Sequence, residues 1–128
     1  MRRLFVILVI LTVLSGLAWA QTIRIGAVAS ATGSAAALGE PEANTFRMLQ
    51  DELNAAGGVA GYPVEIIFYD DATDTQQAVT NVRRLIEEDE VHAVICCTIT
   101  ANSLAIIDVV QGAEVPNISM AASAAIIE

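Results

Sequence analysis

Hydroxyl and amide side chains directly follow an apolar run in the middle of the chain. The run covers residues 91–97 and is typical of a parallel strand that is buried on both faces. Thr98, Thr100, Asn102 and Ser103 come next, just before a new helical pattern. Hydroxyls and backbone N–H groups at a helix start can hold a carboxylate or another small anion. This stretch therefore predicts a binding loop.

Two other predicted loops have a similar composition. Residues 30–38 follow the first predicted strand and residues 119–123 follow the fourth, and both are rich in small and hydroxyl side chains. In an open α/β sheet, such loops meet at the carboxyl ends of the strands, in the crevice where the strand order reverses. Residues 98–102 and these two loops contain no His, Lys, Arg or carboxylate. Their composition favours binding over catalysis, although each lone hydroxyl is equally common as a helix cap.

Short apolar runs alternate with longer amphipathic segments along the rest of the chain. The predicted strands cover residues 23–28, 64–69, 91–97 and 115–119. Helices are predicted to start at Pro41, after an N-cap at Asp74, and at Ser103. The alternation predicts a three-layer αβα fold with a parallel, flavodoxin-like sheet in the order 2-1-3-4. Residues 126–128 resemble the start of a further helix, so we expect a truncated sequence.

The first 20 residues have the pattern of a secretory signal peptide. A charged start at residues 1–3 precedes an apolar segment and the small-residue motif Ala18-Trp19-Ala20. We expect cleavage after Ala20, a periplasmic or otherwise extracytoplasmic location, and one incomplete domain over residues 21–128.

Composition and single residues exclude several classes of function. Fifteen acidic residues against six basic ones give a net charge of −9, which excludes nucleic acid as a partner. The only histidine, His92, is predicted at the edge of the sheet opposite the crevice. Asp70, Asp71 and Asp74 do not match the spacing of a calcium loop. We expect no catalytic residues, no metal and no cofactor.

Two features leave alternatives open. Ser30-Ala-Thr-Gly-Ser-Ala35 resembles the phosphate loop of flavodoxins without its last threonine, so an FMN protein is a remote alternative. The later helix start at Pro41 and the lack of aromatics in the other loops argue against it. Cys96 and Cys97 are adjacent, and successive side chains of a strand point to opposite faces, so we expect two separate buried thiols, with a strained, redox-active pair as the alternative.

Four segments resemble one family. Residues 23–28, 53–61, 69–74 and 115–123 are similar to type I periplasmic binding proteins of ABC importers, in the branched-chain amino acid (leucine-binding) group. The likeness covers nearly all of residues 22–125. It implies two α/β lobes that close on a small amino acid and deliver it to a permease in the inner membrane. The chain would then be the N-terminal part of the first lobe of a non-enzyme that is monomeric at full length.

The resemblance also implies site residues. A ligand carboxylate would be held through a hydroxyl and backbone groups at Thr100, Ala121 and Ser123, with Thr98 and Ala122 as further backbone contributors.

Other positions depart from the pattern of the family. Leu38 lies where many members carry an aromatic that packs on the ligand, and Thr73 and Ile99 replace a disulfide found in some members. The resemblance leaves a second class open, a ligand-binding sensor domain for an amide, urea or an amino acid in a signalling receptor.

Overall fold

A computed structural model describes residues 21–127, so the predicted signal peptide lies outside the described residues. Strands and helices alternate along these residues, and a 3₁₀-helix follows the last strand. The strands are β1 (Ile23–Ala29), β2 (Val64–Asp70), β3 (Ala93–Cys96) and β4 (Asn117–Ile118). The helices are α1 (Ala36–Ala55), α2 (Thr75–Glu87), α3 (Thr100–Ala105) and α4 (Ile107–Gly112), and the 3₁₀-helix spans Ala124–Ile126.

The four strands form one parallel sheet in the order β2-β1-β3-β4, which confirms the predicted topology. The central strand β1 aligns Ile25 with Ile66 of β2 on one side and with Ala93 of β3 on the other. Since all strands run the same way, their carboxyl ends meet at one edge of the sheet. The crevice between the ends of β1 and β3 is the point where the strand order reverses.

Helices cover both faces of the sheet, as the pattern of β1 requires. Ala27 and Ala29 pack with Phe46 of α1 on one face. Val28 points to the other face and packs with Val82 and Leu85 of α2. These side chains are fully or almost fully buried, so the fold class is confirmed as a three-layer αβα arrangement. Among residues 21–127, the structure contains no helix that is long and apolar enough to cross a membrane.

The first helix begins earlier than the sequence predicts. Helix α1 starts at Ala36 and contains Pro41, so the predicted start at Pro41 is wrong and Leu38 belongs to a helix instead of a loop. Gly39 makes the earlier start possible. A Cβ atom at this position would lie only 2.1 Å from the backbone oxygen of Ser30, so only glycine lets this turn of α1 pack on the loop after β1.

The third predicted helix is two short helices that begin earlier than expected. Helix α3 starts at Thr100, not at Ser103, and α4 follows after Ile106. Ile106 is fully buried, whereas Leu104, which the helical pattern places in the core, is 41% exposed. Because α3 ends at Ala105 and α4 begins at Ile107, the buried position moves from Leu104 to Ile106. By contrast, the predicted cap of α2 is confirmed, because the Asp74 carboxylate accepts a 2.7 Å hydrogen bond from the Gln77 N–H.

The adjacent cysteines differ from the prediction. The structure joins Cys96 and Cys97 in a disulfide, so the expectation of two separate thiols is wrong. That expectation assumed an extended strand through residue 97, but β3 ends at Cys96. Both residues are fully buried directly before the loop at Thr98.

Candidate functional site

The buried carboxylate of Asp71 connects the segments that follow β1, β2 and β3. It accepts hydrogen bonds from the Ser30 hydroxyl at 2.6 Å, the Asn102 side-chain amide at 2.8 Å and the Thr73 N–H at 2.9 Å. Asp71, Ser30 and Asn102 are all fully buried. Three donors to one buried carboxylate satisfy its hydrogen-bonding capacity and fix the loops relative to one another. The sequence signal for this role was only an acid placed directly after a buried strand.

The neighbouring Asp70 is engaged in the same way at the surface. Its carboxylate accepts from the Thr32 hydroxyl at 2.6 Å, from the Ala72 N–H at 2.9 Å and from the Thr32 N–H at 3.2 Å. Partial burial favours a higher pKa for Asp70, but the hydrogen bond from the Thr32 side chain and those from backbone N–H groups outweigh it and lower the pKa. Both aspartates therefore hold loops together. No cluster of three or more His, Cys, Asp or Glu side chains suited to a metal occurs in residues 21–127.

The hydroxyl of Thr98 is used inside the protein. It accepts a 2.9 Å hydrogen bond from the Ser30 N–H and donates a 2.5 Å hydrogen bond to the Glu42 carboxylate. With its proton committed to Glu42, the Thr98 side chain has no donor left for a ligand, and only its backbone remains as a candidate contact. Sequence reasoning missed Glu42, because it lies within α1 and not in a loop.

The loop after β4 is fixed through Ser119. The hydroxyls of Ser119 and Ser103 are 2.8 Å apart, and Ser103 in turn accepts a 3.2 Å hydrogen bond from the Cys97 N–H. The N–H of Ala121 donates to the Ser119 hydroxyl at 3.2 Å. In this conformation the N–H of Ala121 is therefore directed at Ser119.

Thr100 and Ser123 differ from the other hydroxyls at this edge. Both are partly exposed, and neither hydroxyl has a hydrogen-bond partner within the described residues. Helix α3, which begins at Thr100, packs against the 3₁₀-helix that follows Ser123.

The remaining predicted site residues, Ala122 and Leu38, are both exposed. Ala122 is exposed between Ala121 and Ser123. Leu38 is 62% exposed in the first turns of α1, a helix that packs mainly against β1 and β2. Leu38 thus lies on the helix that covers β1 and β2, and its role in the site stays a prediction.

A groove of about 600 Å³ lies beside β4. Its lining includes Ser119, Ala121 and Ser123 but neither Thr98 nor Thr100, and its other walls come from α4, from residues 114–117 and from the end of the 3₁₀-helix. This groove and the crevice over Thr100 are therefore separate features that share one loop.

Two other early expectations concern His92 and a flavin. His92 precedes β3 at the amino edge of the sheet, as predicted, and its Nδ1 accepts a 3.0 Å hydrogen bond from the Arg24 N–H. Helix α1 starts directly after the loop that follows β1, so the late helix start that argued against a flavodoxin-like loop is wrong. The hydroxyls of Ser30 and Thr32 in that loop nevertheless donate to Asp71 and Asp70, and so they are committed within the protein.

The fold and the polar loops at the strand ends define a ligand-binding α/β lobe. A family model described as periplasmic binding protein matches residues 22–126. The chain belongs to this family, and its relatives place it among the type I members of the branched-chain amino acid group, as the sequence resemblance implied. Membership implies an extracytoplasmic location and a class of proteins that bind substrates.

Relatives of known name and structure support this assignment. The chain is 35% identical to Leu/Ile/Val-binding protein homolog 8 of Brucella abortus over 102 residues. This aligned stretch covers 80% of the chain and 25% of the relative. A branched-chain amino acid transporter substrate-binding protein of Streptococcus pneumoniae, solved with isoleucine, superposes with a TM-score of 0.79 and 31% identity, over 83% of this chain and 31% of that one.

Another solved relative holds a different ligand. A solute-binding protein of an ABC transporter from Rhodopseudomonas palustris, in complex with 3,4-dihydroxybenzoic acid, has a TM-score of 0.74 and 30% identity over 83% of this chain and 29% of its own. The chain thus spans between a quarter and a third of the length of these relatives.

Proposed function

We propose that this protein is the substrate-binding protein of an ABC importer and that it delivers a branched-chain or similar small amino acid to a permease in the inner membrane. Residues 1–20 act as a signal peptide that is cleaved after Ala20. Residues 21–128 form the N-terminal part of the first of two lobes, between which the ligand binds. The protein is a monomer without enzymatic activity.

The observation that carries this proposal is the pair of free hydroxyls at Thr100 and Ser123. The hydroxyls of Ser30, Thr32, Thr98 and Ser119 are engaged inside the lobe, whereas the hydroxyls of Thr100, at the start of α3, and of Ser123, directly before the 3₁₀-helix, have no protein partner among the described residues. A hydroxyl that donates to a carboxylate forms a charge-assisted hydrogen bond, which is stronger than a neutral one. The two free hydroxyls suit the α-carboxylate of an amino acid, with backbone groups of Thr98 and Ala122 as further contacts; the Ala121 N–H, which donates to Ser119, would have to leave that partner to join them.

The arginines of the described residues are used elsewhere. Arg24 pairs with Glu65 and Glu90 at the amino edge, and Arg84 pairs with Glu88 on α2. The guanidinium of Arg47, on α1, lies over the ring of Phe68 of β2, and Arg83 lines a groove between α2 and α4. A carboxylate at Thr100 would therefore be bound by neutral donors, which suits a receptor that must release its ligand.

An aromatic acid is the second candidate ligand. The relative from Rhodopseudomonas palustris was solved with 3,4-dihydroxybenzoic acid, and its carboxylate has the same chemistry as that of an amino acid. The exposed aliphatic side chain of Leu38 would pack against either an alkyl or an aromatic group.

Calorimetric titration of the mature protein from the complete gene separates these ligands. We expect micromolar binding of leucine, isoleucine or valine, and weaker binding of a short-chain amide and of 3,4-dihydroxybenzoate. A preference for the amide, together with a transmembrane segment and a signalling domain in the complete gene, would replace the transport proposal with a sensor. Failure of a folded protein to bind any of the three amino acids would contradict the proposed ligand.

A further inference from the structure

Glu42 is a charged residue of α1 that contacts the predicted binding loop after β3. Its Oε2 accepts the hydrogen bond of the Thr98 hydroxyl at 2.5 Å, a length typical of a hydroxyl that donates to a carboxylate. Thr98 lies two residues before Thr100, and two residues of extended chain span at most about 7 Å. The Glu42 carboxylate is therefore a near neighbour of the position proposed for the carboxylate of the ligand.

The negative charge of Glu42 is not compensated by the described part of the protein. The ion pairs of residues 21–127 join Arg24 to Glu65 and Glu90, and Arg84 to Glu88, and none includes Glu42. Glu42 is partly exposed and stands one helical turn after Leu38, so the two side chains share one face of α1. The face of α1 that contacts Thr98 thus combines an aliphatic side chain with an uncompensated carboxylate.

We infer that Glu42 is a specificity-determining residue that selects zwitterionic ligands over ligands whose only charge is a carboxylate. This inference rests on the proposed function. A simple carboxylic acid brings a second negative charge next to Glu42, and like charges in a partly desolvated site repel each other. An amino acid carries an ammonium group beside its carboxylate, and this positive charge offsets the repulsion. Glu42 would in this way separate an amino acid from an aromatic or aliphatic acid of similar shape.

The test compares leucine with 4-methylpentanoate, which is leucine without its ammonium group. Calorimetry on the mature protein from the complete gene gives the ratio of the two affinities for the wild type and for Glu42→Gln. Glutamine keeps the size of the side chain and an oxygen that can accept from Thr98, so the fold is retained while the charge is lost. We expect the preference for leucine to fall by about tenfold or more, mainly because 4-methylpentanoate binds better.

Two further variants separate charge from structure. Glu40→Gln removes a charge from an exposed position on the same helix and should leave the ratio unchanged. Glu42→Asp keeps the charge and should keep most of the preference. If Glu42 served only to hold Thr98, both ligands would weaken together in Glu42→Gln and the ratio would stay within twofold of the wild type, which would overturn the inference but not the proposed function. Failure of the wild type to bind leucine would overturn both.

Discussion

The side-chain amide of Asn102 donates a 2.8 Å hydrogen bond to Oδ2 of Asp71, and both residues are fully buried. Asn102 lies in the first turn of α3, two residues after Thr100. Its carbonyl oxygen also accepts a 2.9 Å hydrogen bond from the Thr75 hydroxyl at the start of α2. The hydrogen bonds of Asn102 to Asp71 and Thr75 therefore fix the start of α3, and with it Thr100, to the segment that follows β2.

Removal of the Asp71 carboxylate should destabilise the protein. In Asp71→Ala, the buried donors of Ser30, Thr73 and Asn102 lose their acceptor, so we expect a loss of about 2–4 kcal/mol in the free energy of unfolding. Urea denaturation measures the loss. Asp51→Ala, at an exposed position of α1, is the control and should change stability by less than about 0.5 kcal/mol. Equal effects of the two substitutions would show that the buried network does not hold the loops.

Addition of a single methyl group at Gly39 should also be destabilising. The new Cβ would lie 2.1 Å from the Ser30 oxygen, so α1 must shift away from the loop after β1, and we expect a cost of about 1–3 kcal/mol. Gly112→Ala is a matched control, because a Cβ there has no atom within 4 Å. Thermal unfolding of both variants gives the comparison. An unchanged melting temperature in Gly39→Ala would mean that α1 and the loop are not in close contact.

The N-cap of α2 should contribute a smaller amount. Asp74→Ala leaves the Gln77 N–H without its 2.7 Å partner, and loss of such a cap costs about 1 kcal/mol. Gln76→Ala, at the exposed neighbouring position, should be nearly neutral. Chemical denaturation of the two variants distinguishes the cap from a general effect of substitution. A neutral Asp74→Ala would contradict the assigned cap.

The lowered pKa of Asp70 gives a prediction about acid stability. A group whose folded-state pKa lies below its unfolded value stabilises the fold above the unfolded pKa, and that contribution is lost as the pH falls through the folded pKa. We therefore expect Asp70 to stabilise the protein at neutral pH, with the loss beginning near the unfolded pKa of about 3.9.

The Thr32 side chain supplies the test of this assignment. In Thr32→Val, an NMR titration should show the pKa of Asp70 raised towards its ordinary value, because the hydrogen bond from the hydroxyl is gone. Thr45→Val, whose hydroxyl bonds to the Pro41 carbonyl, should leave the Asp70 titration unchanged. A pKa of Asp70 that does not respond to Thr32→Val would contradict the assigned cause.

The sheet could be predicted from the sequence because its signals are local. Alternating apolar runs and the Asp74 cap indicate β2, β1 and α2 without knowledge of distant contacts. The starts of α1 and α3 could not be predicted in the same way. Gly39 allows an early start only because the Ser30 carbonyl lies against it, and that contact depends on how the loop after β1 folds back on α1, which no periodic pattern indicates.

The site shows the same limit. The hydroxyl residues at the strand ends were visible in the sequence, but the division between engaged and free hydroxyls was not. That division depends on Asp71 and Glu42, whose contacts with Ser30 and Thr98 span 41 and 56 residues. Such pairings are a property of the folded sheet edge and leave no periodic pattern in the sequence.

The most direct test of the account is the affinity of isoleucine for the mature protein from the complete gene, measured beside Thr100→Ala. Loss of a hydroxyl that donates to a charged carboxylate should cost about 1.5–3 kcal/mol, or about 10- to 150-fold in affinity. Thr80→Ala, an exposed threonine on α2, should bind as the wild type does. Binding of isoleucine that is as tight in Thr100→Ala as in the wild type would contradict the proposed carboxylate site, and no binding by the folded wild type would contradict the function itself.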